Sequence, residues 1–155
     1  MNIVTVDYSM ATQSYDIFFS GCKMTVHCQD CHNEEAWDFN CGTRYDLWLN
    51  KIGSDFKAFG GIIKKIFLLG GEPLDQDREE LLEFIRILRE DLEIKHDIWL
   101  FTRFELNTIP DEIKQYFSHI KCGTYRPELS TDDNIQYGVK LATSNQKIYA
   151  RGIDY

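Results

Sequence analysis

Apolar positions along this chain follow two different spacings, and the switch between them outlines the fold. Residues 3–8 and 15–20 are rich in β-branched and aromatic side chains and read as strands joined by a polar connection, 9–14. Residues 62–69 are apolar apart from Lys64 and Lys65 and end at Gly70-Gly71, as a central strand of a parallel sheet would. Residues 98–101 predict another strand, with Thr102-Arg103 at its carboxyl end, and 120–122 and 146–150 predict two more. Between these runs the period lengthens. Residues 45–59 form a weak helical pattern, with Leu47, Leu49, Ile52 and Phe56 on one side and Gly53 interrupting it. A stronger helix, capped by Asp75, runs to about Leu92 with Leu81, Leu82, Ile85 and Leu88 at helical spacing. A shorter one follows Pro110 over 111–117, and 126–134 is a polar loop.

Strands alternating with helices predict an α/β protein with a mostly parallel sheet and right-handed crossovers. No internal repeat or linker interrupts the pattern, so residues 1–155 are expected to form one domain. In such sheets ligands sit beyond the carboxyl ends of the strands. Three polar segments follow predicted strands here: the loop after Gly21, the Gly70-Gly71-Glu72 turn and Thr102-Arg103. All three should gather at one edge of the sheet.

Composition narrows the function. At 43% hydrophobic and 14% aromatic residues the chain is that of a packed protein. A net charge of −8 with no basic stripe argues against a nucleic-acid surface. No apolar run reaches the length of a membrane span, and residues 1–7 lack the basic start of a signal peptide, so a cytoplasmic protein is expected. Five cysteines, an odd number, favour reduced thiols used as ligands over a disulfide framework.

Cys22, Cys28 and Cys31 crowd one loop, separated by five and two residues. Three thiolates leave a metal or cluster one position open for substrate, whereas a structural site closes with four ligands. The alternative is a zinc site drawing on Cys28, Cys31, His32 and Cys41, and the cysteines alone leave both readings standing. Gly70-Gly71-Glu72-Pro73 allows close backbone approach and offers a carboxylate to an ammonium group, although a lone Gly-Gly is also a plain tight turn. Cys122 reads as a buried small hydrophobe, Cys41 as packed, and His96 and His119 as structural. His27 and His32 lie inside the thiol loop, where they would support ligands rather than be ligands. Ser144-Asn145-Gln146 is a polar turn whose amides suit a small polar ligand.

Together these segments resemble the activating proteins of anaerobic ribonucleotide reductase, a family of the radical S-adenosylmethionine superfamily. Phe18-Phe19-Ser20-Gly21-Cys22 is similar to the strand entering that family's cluster loop, and Cys28-Gln-Asp-Cys31-His32-Asn33 with Trp37 to the segment that follows. Gly70-Gly71-Glu72-Pro73-Leu74, Asp97-Ile98-Trp99 with Thr102, and Gly123-Thr-Tyr125 with Ser144-Asn145-Gln146 resemble its later motifs. The chain departs from the family in its five residues between the first two cysteines, in Asp30 before the last, and in 9–14, which replace a glycine-rich stretch.

The resemblance implies a small, incomplete βα barrel, since closed barrels take about 250 residues. It implies that Cys22, Cys28 and Cys31 hold a 4Fe–4S cluster whose open iron chelates S-adenosylmethionine. Asn33, Gly70, Gly71 and Glu72 would then line the cofactor pocket, with Thr102, Asn145 and Gln146 around the rest of the cofactor or an incoming peptide. The activity implied is one-electron cleavage of S-adenosylmethionine to a 5′-deoxyadenosyl radical that takes hydrogen from a glycine of the reductase large subunit, with an electron donor such as flavodoxin. Activation of another glycyl radical enzyme, such as pyruvate formate-lyase, is the neighbouring expectation.

Overall fold

The computed structural model describes residues 1–29, 31 and 33–155. The expectations placed on Asp30 and His32 fall outside the described residues. In chain order the strands are β1 (Asn2–Ser9), β2 (Ser14–Phe19), β3 (Thr43–Arg44), β4 (Lys65–Gly70), β5 (Asp97–Phe101), β6 (His119–Cys122), β7 (Ile135–Gln136), β8 (Val139–Lys140) and β9 (Lys147–Ala150). The helices are α1 (Leu49–Phe59), α2 (Arg78–Arg86) and α3 (Asp111–Lys114).

Seven strands make one sheet in the order β3-β1-β2-β4-β5-β6-β9, and β7 and β8 form a separate hairpin. The order runs from edge to edge without closing, so the sheet is open. The sheet is mixed, with the expected parallel arrangement at its centre. Its four central strands, β2, β4, β5 and β6, run parallel, while β1, β3 and β9 pair antiparallel at the two flanks. Hairpin geometry explains the flanks. β1 and β2 are joined by a short turn in which Gln13 takes a left-handed φ of 52°, and β9 returns beside β6 after the β7–β8 excursion.

Side-chain alternation then divides the sheet into two faces. On one, Ile17, Phe19, Ile66, Leu68, Ile98, Leu100 and Ile120 are fully buried against Leu81, Phe84, Ile85 and Leu88 of the α2 region. On the other, Phe67, Trp99 and Ile148 pack beneath Val139 and Leu141 of the hairpin.

Several predicted boundaries shift for local reasons. The strand begins at Lys65, not residue 62, because Ile62 is exposed on the turn that ends α1. The expected helix from Asp75 is a 3-10 turn, Pro73–Asp75, followed by α2 and a π-helical turn, Ile87–Asp91. Its cap is Asp77, whose side chain accepts from the Glu80 N–H at 3.0 Å. Asp75 is freed from capping and turns inward. Residues 45–48 are a 3-10 turn ahead of α1, and Gly53 sits within that helix. Among the described residues no helix is long and apolar enough to cross a membrane.

Candidate functional site

Because β2, β4, β5 and β6 are parallel, the segments that follow them emerge at the same edge, where they surround a cavity of about 450 Å³. Cys22, Cys28, Cys31 and Asn33 reach it from the loop after β2, Gly70, Gly71 and Glu72 from the end of β4, and Thr102 from the end of β5. Gln146 arrives from the turn before β9. Asn145 is exposed and lies outside the lining, its amide donating to the Thr124 carbonyl at 2.9 Å. Gln146 is buried and ties its own turn together. Its side-chain oxygen accepts from Ala142 N–H at 3.1 Å and Thr143 N–H at 3.3 Å.

Main chain builds the cradle for the first thiol. Gly21 N–H donates to the Ala36 carbonyl at 2.7 Å, Cys22 N–H to Trp37 at 3.1 Å, and Glu72 N–H to Gly21 at 2.8 Å. These close bonds explain the glycines. A Cβ on Gly71 would stand 2.3 Å from the Gly21 carbonyl oxygen and 2.7 Å from that of Ala36. One on Gly70, whose φ is +115°, would meet the Phe19 carbonyl oxygen at 2.4 Å. Both glycines are therefore demanded by the protein's own backbone, before any ligand is considered.

Glu72 is 2% exposed. Its carboxylate accepts from Leu74 N–H at 3.0 Å, from the Thr102 hydroxyl at 2.7 Å and from Arg103 N–H at 2.8 Å. Burial raises its pKa, and these three donors oppose the rise. A carboxylate offers about four acceptor positions, so one remains for a ligand in the cavity. Thr102 is thus turned towards Glu72 rather than towards open space. Asp75, 5% exposed, receives one Arg103 guanidinium nitrogen on both oxygens at 2.9 Å, and its Oδ2 also accepts Lys23 N–H at 2.6 Å. One buried carboxylate fastens the residue after Cys22 to the end of β5.

The three thiols are free and partly buried. Burial pushes the Cys22 thiol up, with the Met24 main-chain N–H and the Arg103 charge opposing it. Cys28 is raised by burial and by neighbouring Cys31, and eased by the Tyr125 main-chain N–H and by Lys121. Lys121 lines the cavity and donates to the Gly123 carbonyl at 3.0 Å. Its desolvation lowers its pKa to about 8, with Glu72 pulling the other way.

Asp75 and Lys121 lie outside the predicted site residues, and Arg103 enters the sequence reading only through the Thr102-Arg103 segment expected at this edge. A lysine alternating with Ile120 and Cys122 in a short strand was the available signal for Lys121.

The donor set can be tested against candidate groups. Among the described residues no three His, Cys, Asp or Glu side chains are gathered tightly enough to hold a single metal ion. Cys41 does not line the cavity that holds the other three thiols. Three soft sulfur donors spread around one cavity, beside a buried carboxylate, suit an iron–sulfur cluster that leaves room for a second, polar ligand. The residues fit that group.

Comparison with known proteins agrees. Residues 13–148 match the family described as a 4Fe-4S single cluster domain. The chain is similar to a protein of Haemophilus influenzae named anaerobic ribonucleoside-triphosphate reductase-activating protein, with 29% identity over 106 residues, 67% of this chain and 66% of that one. A protein of the same name from Pasteurella multocida is 26% identical over 140 residues, 86% of this chain and 84% of its own length. No solved structure gives a significant match.

Proposed function

The chain belongs to the 4Fe-4S single cluster domain family, and from that premise we propose that it is a radical S-adenosylmethionine activase that installs a glycyl radical on anaerobic ribonucleotide reductase. The observation that carries the proposal is the convergence of Cys22, Cys28 and Cys31 with buried Glu72 on one cavity. The names of the two relatives supply the target. On this reading the open sheet is the small incomplete barrel of radical S-adenosylmethionine enzymes, formed by one domain. A cytoplasmic setting would keep the thiols reduced, and a flavodoxin-like donor would supply electrons.

Cys22, Cys28 and Cys31 would hold three irons of a 4Fe–4S cluster and leave the fourth open. Glu72 would accept from the ammonium group of S-adenosylmethionine with its one free acceptor position, its other contacts fixing it in place. Lys121, with two N–H donors beyond the one given to Gly123, would face the carboxylate of the same ligand. Phe18, Leu69, Phe101 and Leu141 would keep water from the ligand. The chemistry supplied by cluster and S-adenosylmethionine together, when bound, is one-electron cleavage of the sulfonium and hydrogen abstraction from a glycine.

The test is anaerobic reconstitution with iron and sulfide, reduction, and incubation with S-adenosylmethionine and the reductase. The expected results are 5′-deoxyadenosine and a glycyl radical signal in electron paramagnetic resonance. Cys22→Ala, Cys28→Ala or Cys31→Ala should each lose the cluster, while Cys41→Ala should keep it. A tightly bound zinc that Cys41→Ala empties would overturn the proposal, and a radical on pyruvate formate-lyase in place of the reductase would change its target.

A further inference from the structure

The five residues between Cys22 and Cys28 carry an aromatic ring into the cavity wall. His27 stacks on Trp37 with ring centroids 4.1 Å apart and planes 12° from parallel. Both rings line the cavity and both are partly buried. Their positions are fixed twice over. His27 Nε2 lies 3.4 Å from the Cys22 carbonyl oxygen, and the Trp37 carbonyl accepts the Cys22 N–H at 3.1 Å. The pair is therefore anchored to the main chain of the first thiol ligand, beside where a molecule chelated at the open iron would sit.

Among the described residues, no other two aromatic rings of the lining are stacked on each other. Phe101 leans at 48° against Phe67. A rigid, near-parallel pair of rings is a stacking surface for a nucleobase, and holding it in place beforehand removes the ordering cost of binding.

We propose that the His27–Trp37 pair is the platform on which the purine ring of S-adenosylmethionine lies, so that His27 is a positioning residue for the nucleoside half of the ligand. The inference rests on the function proposed above. It divides recognition between two ends of the cavity, with Glu72 holding the amino acid portion and the ring pair holding the base.

The experiment uses cluster-loaded, reduced protein titrated with S-adenosylmethionine and, separately, with free methionine, followed by the electron paramagnetic resonance spectrum of the cluster. His27→Ala should weaken S-adenosylmethionine about tenfold, the size of one modest base–aromatic stack, and leave methionine binding and iron content unchanged. His27→Phe should restore the affinity. If His27→Ala fails to take up iron, His27→Phe and His27→Leu give the same contrast at similar bulk, the first binding tightly and the second weakly. Equal affinity for S-adenosylmethionine with and without the ring, or equal weakening of both ligands, overturns the platform while leaving the activase reading intact. A wild-type spectrum indifferent to S-adenosylmethionine overturns the activase reading, and the platform with it.

Discussion

The two faces of the sheet are built from the same strands and obey different rules. Towards the helices, β2, β4, β5 and β6 present Ile17, Phe19, Ile66, Leu68, Ile98, Leu100 and Ile120, all fully buried. Towards the other side the alternate residues fall into three tiers. Phe18, Leu69, Phe101 and Lys121 line the cavity at the carboxyl ends. In the middle Phe67 and Trp99 lie under the hairpin. Asp16 and His119 flank that middle pair in register, while Lys65 and Asp97 occupy the amino end; Lys65 stands over the Trp99 ring at 4.5 Å and His119 stacks on it at 4.0 Å. The helical face supplies cohesion through aliphatic burial. The opposite face can then carry groups that burial disfavours, such as Glu72, Lys121 and Asp16.

That division predicts substitutions that separate stability from chemistry. Phe84→Ala, on the helical side, should cost about 3–5 kcal/mol in denaturant unfolding and leave iron uptake unchanged in whatever protein remains folded. Asp75→Ala should cost about 2–3 kcal/mol, because it leaves the Arg103 guanidinium without its carboxylate, and it should also lower iron bound per chain, since Lys23 N–H loses its acceptor. A substitution behaving like Phe84→Ala in both measurements would show that Asp75 only stabilises.

Two pH profiles refine the contrast. In the folded protein Lys121 is charged below about 8 and neutral above it, because burial disfavours the ammonium. Affinity for the anionic end of S-adenosylmethionine should therefore be full below that value and fall about tenfold, near 1.4 kcal/mol, as pH rises through it. Lys121→Met should flatten the profile, as read by spectroscopic titration.

Asp16 moves the other way. Burial raises its pKa from 3.8 to about 6, with the Ser14 hydroxyl partly opposing. A carboxyl whose folded value is raised adds stability below its unfolded value, and that contribution is lost as pH rises through about 6. Asp16→Asn should therefore gain about 1 kcal/mol at pH 8 once solvent screening is allowed for, roughly 2–4 °C in Tm. The gain should vanish near pH 4. An unchanged difference between those pH values would show that Asp16 is not desolvated as described.

The sequence reveals these features unequally. Ile66, Leu68, Ile98 and Leu100 are legible because a short unbroken apolar run that ends at glycine or threonine reads as a buried central strand. The thiol loop is legible because three cysteines within ten residues need a shared purpose. Asp75 reads as a cap because it sits two residues from the true cap, Asp77, and both carboxylates suit a helix start. Only the 3-10 turn opened by Pro73 rotates one inward and leaves the other outside. The β7–β8 hairpin is faint in the sequence because its strands are two residues each; Tyr137 and Gly138 at its turn take φ values of 50° and 75°, the left-handed pair that two-residue hairpins need. The antiparallel flanks are harder to read than the parallel centre because short edge strands such as β3 and β9 have too few residues to show a pattern.

The cradle around Cys22 is joined by N–H and carbonyl groups, with Gly71 lying against the carbonyls of Gly21 and Ala36. Its tolerance to mutation should therefore be lopsided. Side chains on the surrounding loop can be exchanged in an engineered variant with little effect on where the first thiol sits, since the bonds that place it belong to the polymer and not to the residue types. A single methyl group added at position 71 has no such freedom. A saturation library across residues 20–37 and 70–72, read by iron uptake, should return a plateau of tolerated changes interrupted by the three thiols and by Gly21, Gly70, Gly71 and Glu72, and a readout of S-adenosylmethionine affinity should add His27 to them.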